Sequence, residues 1–183
     1  MIRNVRQSAR ALGVATLALD RFVPDDFADE DSHPTEFEIG VVPTFRVSLD
    51  DAETGTWDAA KRIGWRFVCL PDGAEHGAIV DVRRSAWRNP RFSRYSYGRR
   101  AVRHMGVLLD ALRTAVDLRL DCHARILKMP IEGLEVVWLK PLRSGDKDVF
   151  LPLSRRYLPS EDVAEYVSTK CKSLRYSRDN STH

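Results

Sequence analysis

Apolar residues along this chain keep two rhythms, one of the helix and one of the strand, and these alternate in blocks. Ile2, Val5, Ala9, Leu12 and Leu19 recur at steps of three, four or seven, which places them on one face of a helix over residues 2–22. Pro24 and the acidic run DDFADED end that pattern, and residues 25–34 have little to bury, so they read as a loop. From 36 to 49 the period drops to two. Phe37, Ile39, Val41, Phe45, Val47 and Leu49 share one parity, while Glu36, Glu38, Thr44, Arg46 and Ser48 share the other. Strict alternation marks a strand with one wet face. Pro43 lacks an N–H for a ladder, so this strand is expected at an edge or bent there.

Further strands are expected at 63–70 (IGWRFVCL) and 78–84 (AIVDVRR), joined by the turn PDGAEHG. DDAETGT at 50–56 reads as a loop, and 57–62 as room for one helical turn. Val102, Met105, Leu109, Leu112 and Val116 then hold a helical step from Arg99 to about Asp117. Three strands follow at 122–129, 134–140 and 148–153, with junctions short enough for an antiparallel meander. LEVVWL is apolar on both parities, which predicts an interior strand covered on both faces. Pro159 and Ser160 open a last helix whose stripe is Val163, Val167, Cys171 and Leu174.

These elements give an α+β fold: a twisted antiparallel sheet of about six strands with two to three helices, in the order αβββ–αβββ–α. One domain over 1–183 is expected, with 175–183 as a frayed tail. The repeated element order suggests halves 1–84 and 99–174, without any residue-level repeat.

Composition narrows the class. Apolar content of 43% and charged content of 30% describe a globular chain, neither disordered nor membrane-spanning. The run ALGVATLAL is too short to cross a bilayer and no small-x-small cleavage pattern follows it, so it reads as helix and not as a leader. Cys69, Cys122 and Cys171 are odd in number and far apart, which fits reduced thiols in a cytoplasmic setting.

Charge is the feature composition alone does not convey. Residues 20–58 hold twelve acids and two arginines, a net of −10, whereas 83–109 hold eight arginines and no acid, a net of +8. The basic stretch RRSAWRNPRFSRYSYGRRAVRH interleaves arginines with aromatics. Its candidate binding residues are Arg83, Arg84, Trp87, Arg88, Arg91, Phe92, Arg94, Tyr95, Arg99, Arg100 and Arg103. Three readings are open. The stretch is a connector whose aromatics cap the core, a docking surface for an acidic protein, or a nucleic-acid groove with arginines on phosphates and rings on bases.

Chemistry is otherwise sparse. No glycine-rich phosphate loop occurs, and no cofactor is expected. Cys122 and His123 are neighbours on a strand and point to opposite faces, so they cannot grip one metal ion together. His104 reads as a helix-edge residue, and His76, beside Glu75 in a turn, is the one histidine in a catalytic-looking setting. The reading favoured is therefore a non-catalytic binding or adaptor protein with segregated acidic and basic regions, engaging a protein partner or a second copy. Nucleic-acid binding through 83–103 is the alternative. A small-molecule-binding domain or enzyme, with a pocket near His76 or His123, is the second.

Overall fold

A computed structural model of the chain describes residues 9–22, 38–70, 77–84, 89–117, 121–131, 134–143, 145–153 and 163–179. The order is α1 (Ala9–Phe22), β1 (Glu38–Arg46), α2 (Leu49–Glu53), a 3₁₀ turn (Trp57–Ala59), β2 (Lys61–Leu70), β3 (Gly77–Arg83), β4 (Arg91–Gly98), α3 (Arg99–Asp117), β5 (Cys122–Lys128), β6 (Glu135–Pro141), β7 (Val149–Pro152) and α4 (Val163–Asp179). The fold is α+β, with a seven-stranded sheet in the order β4-β3-β2-β1-β5-β6-β7.

The sheet is mixed and not purely antiparallel. β1 and β5 run parallel, with Thr44 opposite Ile126 and Phe45 opposite Leu127. The remaining ladders given by the register are antiparallel: β2–β3, β3–β4, β5–β6 and β6–β7. The meander expected over 122–153 is therefore present. β6 is interior, and Val136, Val137, Trp138 and Leu139 are all buried, as its two-sided apolar run implies.

Other expectations change. β1 is central and not an edge strand, and Pro43 stands just before the register with β5 begins at Thr44. Thr44, assigned to a wet face, is buried, because its cross-strand neighbour Ile126 belongs to the core as well. The loop expected at 50–56 contains α2, whose first turn is capped by Ser48: its Oγ accepts from the Asp51 N–H at 3.1 Å. The largest addition is β4, a strand inside the basic stretch. With α2 and β4 the count becomes four helices and seven strands, where two to three and about six were expected.

The chain divides into two compact units. One comprises residues 1–3, 44–62 and 111–183; the other comprises 4–43 and 63–110. In the first, Val47, Trp57, Leu127, Val136 and Trp138 form a core with Val163, Val167 and Cys171 of α4. Ser168 of α4 donates to the Glu53 carbonyl at 2.8 Å, which ties α4 to α2. In the second, Ala11, Ala15, Ala18 and Leu19 of α1 lie on Trp65, Phe67, Cys69, Ala78, Val80 and Val82. Small residues on α1 let the helix approach the strands closely. Among the described residues, no helix is long and apolar enough to cross a membrane.

Candidate functional site

The basic stretch resolves into an edge strand followed by a helix. In β4 the register with β3 pairs Tyr97 with Ala78, Tyr95 with Val80 and Phe92 with Val82 on one face. Ser96 pairs with Ile79, Arg94 with Asp81 and Arg91 with Arg83 on the other. Successive strand residues point to opposite faces. The interleaving of arginine and aromatic residues, which suggested one mixed groove, therefore separates them. A register shift between Asp81 and Val82 marks a bulge that leaves Ser93 outside the register pairs, so Phe92 stays on the aromatic face.

The aromatic face belongs to the core under α1. Tyr95 and Tyr97 pack against that cluster, their ring centroids 6.4 Å apart and almost parallel. Phe22 at the end of α1 stacks on Phe92 at 5.3 Å and lies 5.6 Å from Tyr95. Burial pushes the Tyr95 phenol up to about 12, with Tyr97 and Cys69 adding to the effect. Its hydroxyl is buried with no hydrogen-bond partner among the described residues. These rings cap a core, although Phe22 and Phe92 keep part of their surface in solvent.

The opposite face carries charge. Arg66 on β2 and Asp81 on β3 are cross-strand neighbours and both are buried. Arg66 Nε donates to Asp81 Oδ1 at 2.7 Å and its Nη2 to Oδ2 at 2.9 Å, a bidentate pair. Arg94 continues the row on β4 and is exposed. Above the row lies a recess of about 20 Å³, lined by Arg66, Ile79, Asp81, Arg94, Ser96, Ala101 and His104. That volume holds roughly one water-sized group. All seven residues belong to one compact unit. Ala101 stands in the first turn of the 19-residue α3, a turn with no acidic residue, so the positive end of the helix dipole borders the recess.

The residues singled out from sequence are placed as follows. Arg83, Arg84, Arg91, Phe92 and Arg94 are exposed on β3, just beyond it or on β4, and Tyr95 is half-buried. Arg99 and Arg103 are exposed on α3. Arg100 lies in α3, but its side chain falls outside the described residues, as do Trp87, Arg88, His33 and His76 entirely. Sequence reasoning missed Arg66, Asp81, Ser96 and His104. A signal for two of them existed: Arg66 and Asp81 are opposite charges inside apolar strands, nearly equidistant from the turn that joins them. His104 faces the recess and is half-buried, which is more than a helix-edge position.

The other unit holds a second charged cluster. Arg125 of β5 stacks between Phe45 and Trp138, at 4.7 and 4.8 Å from the ring centroids. Burial lowers its pKa, opposed by the charges of Asp58 and Asp148. Lys140, 5.4 Å from the Trp138 ring, pairs with Asp58. Asp51 and Asp58, members of the acidic block, thus have contacts inside their own unit, with Ser48 and Lys140. The cations here are occupied by the protein's own rings and carboxylates, so this cluster reads as a stabilising ladder. The three thiols are buried; burial pushes Cys69 up to about 11 and also raises Cys122 and Cys171. Comparison of the chain with protein families, curated proteins and solved structures finds no match.

Proposed function

We propose that this chain is a non-catalytic binding protein that takes an extended, acidic segment of a protein partner along the outer side of β4. The observation that carries this is an end strand of eight residues with Arg91 and Arg94 exposed on it. An edge strand offers a row of N–H and C=O groups to an added strand, and alternate side chains supply specificity. Exposed arginines on β4, with Arg99 and Arg103 following on α3, favour a partner of negative charge. They also weigh against a second copy of β4, because strand-to-strand pairing would set arginines near arginines.

Two further observations support binding over catalysis. The recess admits roughly one water-sized group, and the raised thiols are held protonated at neutral pH. Against the nucleic-acid reading, Tyr95 and Tyr97 are engaged by the α1 core, which takes away most of the stacking surface that unpaired bases need.

The test uses a seven-residue peptide alternating valine with glutamate, titrated into the full chain and followed by amide exchange and calorimetry. Protection of β4 amides is expected, with affinity falling as salt rises. Charge reversal at exposed positions, Arg91→Glu with Arg94→Glu, is expected to remove binding and leave the amide spectrum folded. Absence of β4 protection, or saturable binding of single-stranded oligo(dT) that the same reversal abolishes, overturns the reading.

A further inference from the structure

The recess beside β4 has a chemistry of its own. In a strand added to β4, every second side chain lies on the face that carries Arg94 and Ser96, within about 5.5 Å of its direct neighbour. A side chain opposite either residue therefore reaches the mouth of the recess. Inside, Asp81 is already held by two donors of Arg66, so the buried negative charge is compensated. Arg94 has no carboxylate within ion-pair distance among the described residues. With His104 on the wall and the first turn of α3 beside it, the surplus charge at the mouth is positive.

We infer that this recess is the pocket for one aspartate or glutamate side chain of the docked segment, a reading that rests on the strand addition proposed above. Size decides between anions. About 20 Å³ accepts a single oxygen with its lone pairs, not a tetrahedral group with several. A carboxylate sets one oxygen toward Ser96 and His104 and leaves the other to the Arg94 guanidinium, whose fork suits two-oxygen recognition. Arginines on either side exclude a cationic side chain, and a neutral amide gives up the charge-assisted part of the bond. Ser96 and His104 act here as binding groups, and Arg66 with Asp81 as the fixed floor.

The experiment compares the valine–glutamate peptide with its valine–glutamine counterpart and adds sodium acetate as a small probe. Binding is read from the Ser96 amide, the His104 ring signals and the Arg94 Nε–H. The glutamate peptide is expected to bind on the order of tenfold tighter than the glutamine peptide. Arg94→Gln is expected to erase that preference, and Arg94→Lys to retain part of it. Acetate is expected to shift the same three signals saturably in the unaltered chain and not in Arg94→Gln. Equal affinity for the two peptides with β4 still protected overturns the recess and spares strand addition. Saturable acetate shifts without β4 protection do the reverse. A phosphoserine peptide binding tighter than the glutamate peptide overturns the carboxylate assignment.

Discussion

Arg66 and Asp81 show how much a single pair of side chains can decide. Each interrupts an apolar strand, and each alone would be a charge buried at severe cost. Together they satisfy one another through two short bonds of 2.7 and 2.9 Å. Removing one partner strands the other, so Asp81→Asn or Arg66→Met is expected to cost about 3–5 kcal/mol in denaturant melts. Replacing both, as Arg66→Met with Asp81→Leu, is expected to recover most of that loss, because a well-packed apolar pair avoids the desolvation altogether. A double variant no more stable than either single one would show that the pair does more than neutralise itself. The pair was legible in advance, as opposite charges at matching distances from one turn. The recess above it was not, since its walls at Arg94, Ser96, Ala101 and His104 come from elements that only the register and the helix placement bring together.

At the scale of elements, periodicity located most strands and helices, and composition misled where it overrode periodicity. RFSRYSYG was taken for part of a charged connector because its arginines dominated the reading. Its aromatics nonetheless keep strand alternation once the bulge is allowed for. DDAETGT looked like a loop because helix α2 is five residues long and rests on the Ser48 cap. Parallel pairing of β1 with β5 has no local signal, because alternation reports which face a residue takes and not which way its neighbour runs. Close approach between strands is likewise invisible in sequence. At Gly64 on β2 an added Cβ would lie 2.1 Å from the Val82 carbonyl oxygen on β3, a backbone atom with no room to yield. Gly64→Ala is therefore expected to destabilise the chain by about 1–3 kcal/mol. Gly106, inside α3 with nothing within 4 Å of its would-be Cβ, is the contrast. Gly106→Ala is expected to stabilise by about 0.5–1 kcal/mol through helix propensity. Both are read from urea midpoints, and an equal response at the two sites would refute the steric account.

At the scale of the whole molecule, each compact unit has its own apolar core, and buried acids of high pKa link stability to alkaline pH. Cys69 holds its proton up to about pH 11 in the folded chain, against an ordinary 9.0, because burial disfavours the thiolate. The unfolded chain releases that proton first, so stability is intact below pH 9 and declines between 9 and about 11. Tyr95 extends the decline from pH 10 to about 12. The full slope for one such group is about 1.4 kcal/mol per pH unit. Urea melts at pH 8 and 10.5 should differ accordingly, and Cys69→Ala should flatten the difference; an unchanged slope would place the cause elsewhere. The amino-acid sequence by itself determined the apolar periods, hence an α+β chain, the meander of β5, β6 and β7, the buried β6 and the extent of α3. These follow from contacts between residues near one another along the chain. Tertiary structure alone decided that the sheet is mixed, that β1 is central, that β4 lies at an edge with arginines and aromatics on opposite faces, and that a charged recess forms beside it. Such features depend on which distant segments become neighbours, and the free energy that selects them is spread over many cross-strand pairs, not written in any one stretch.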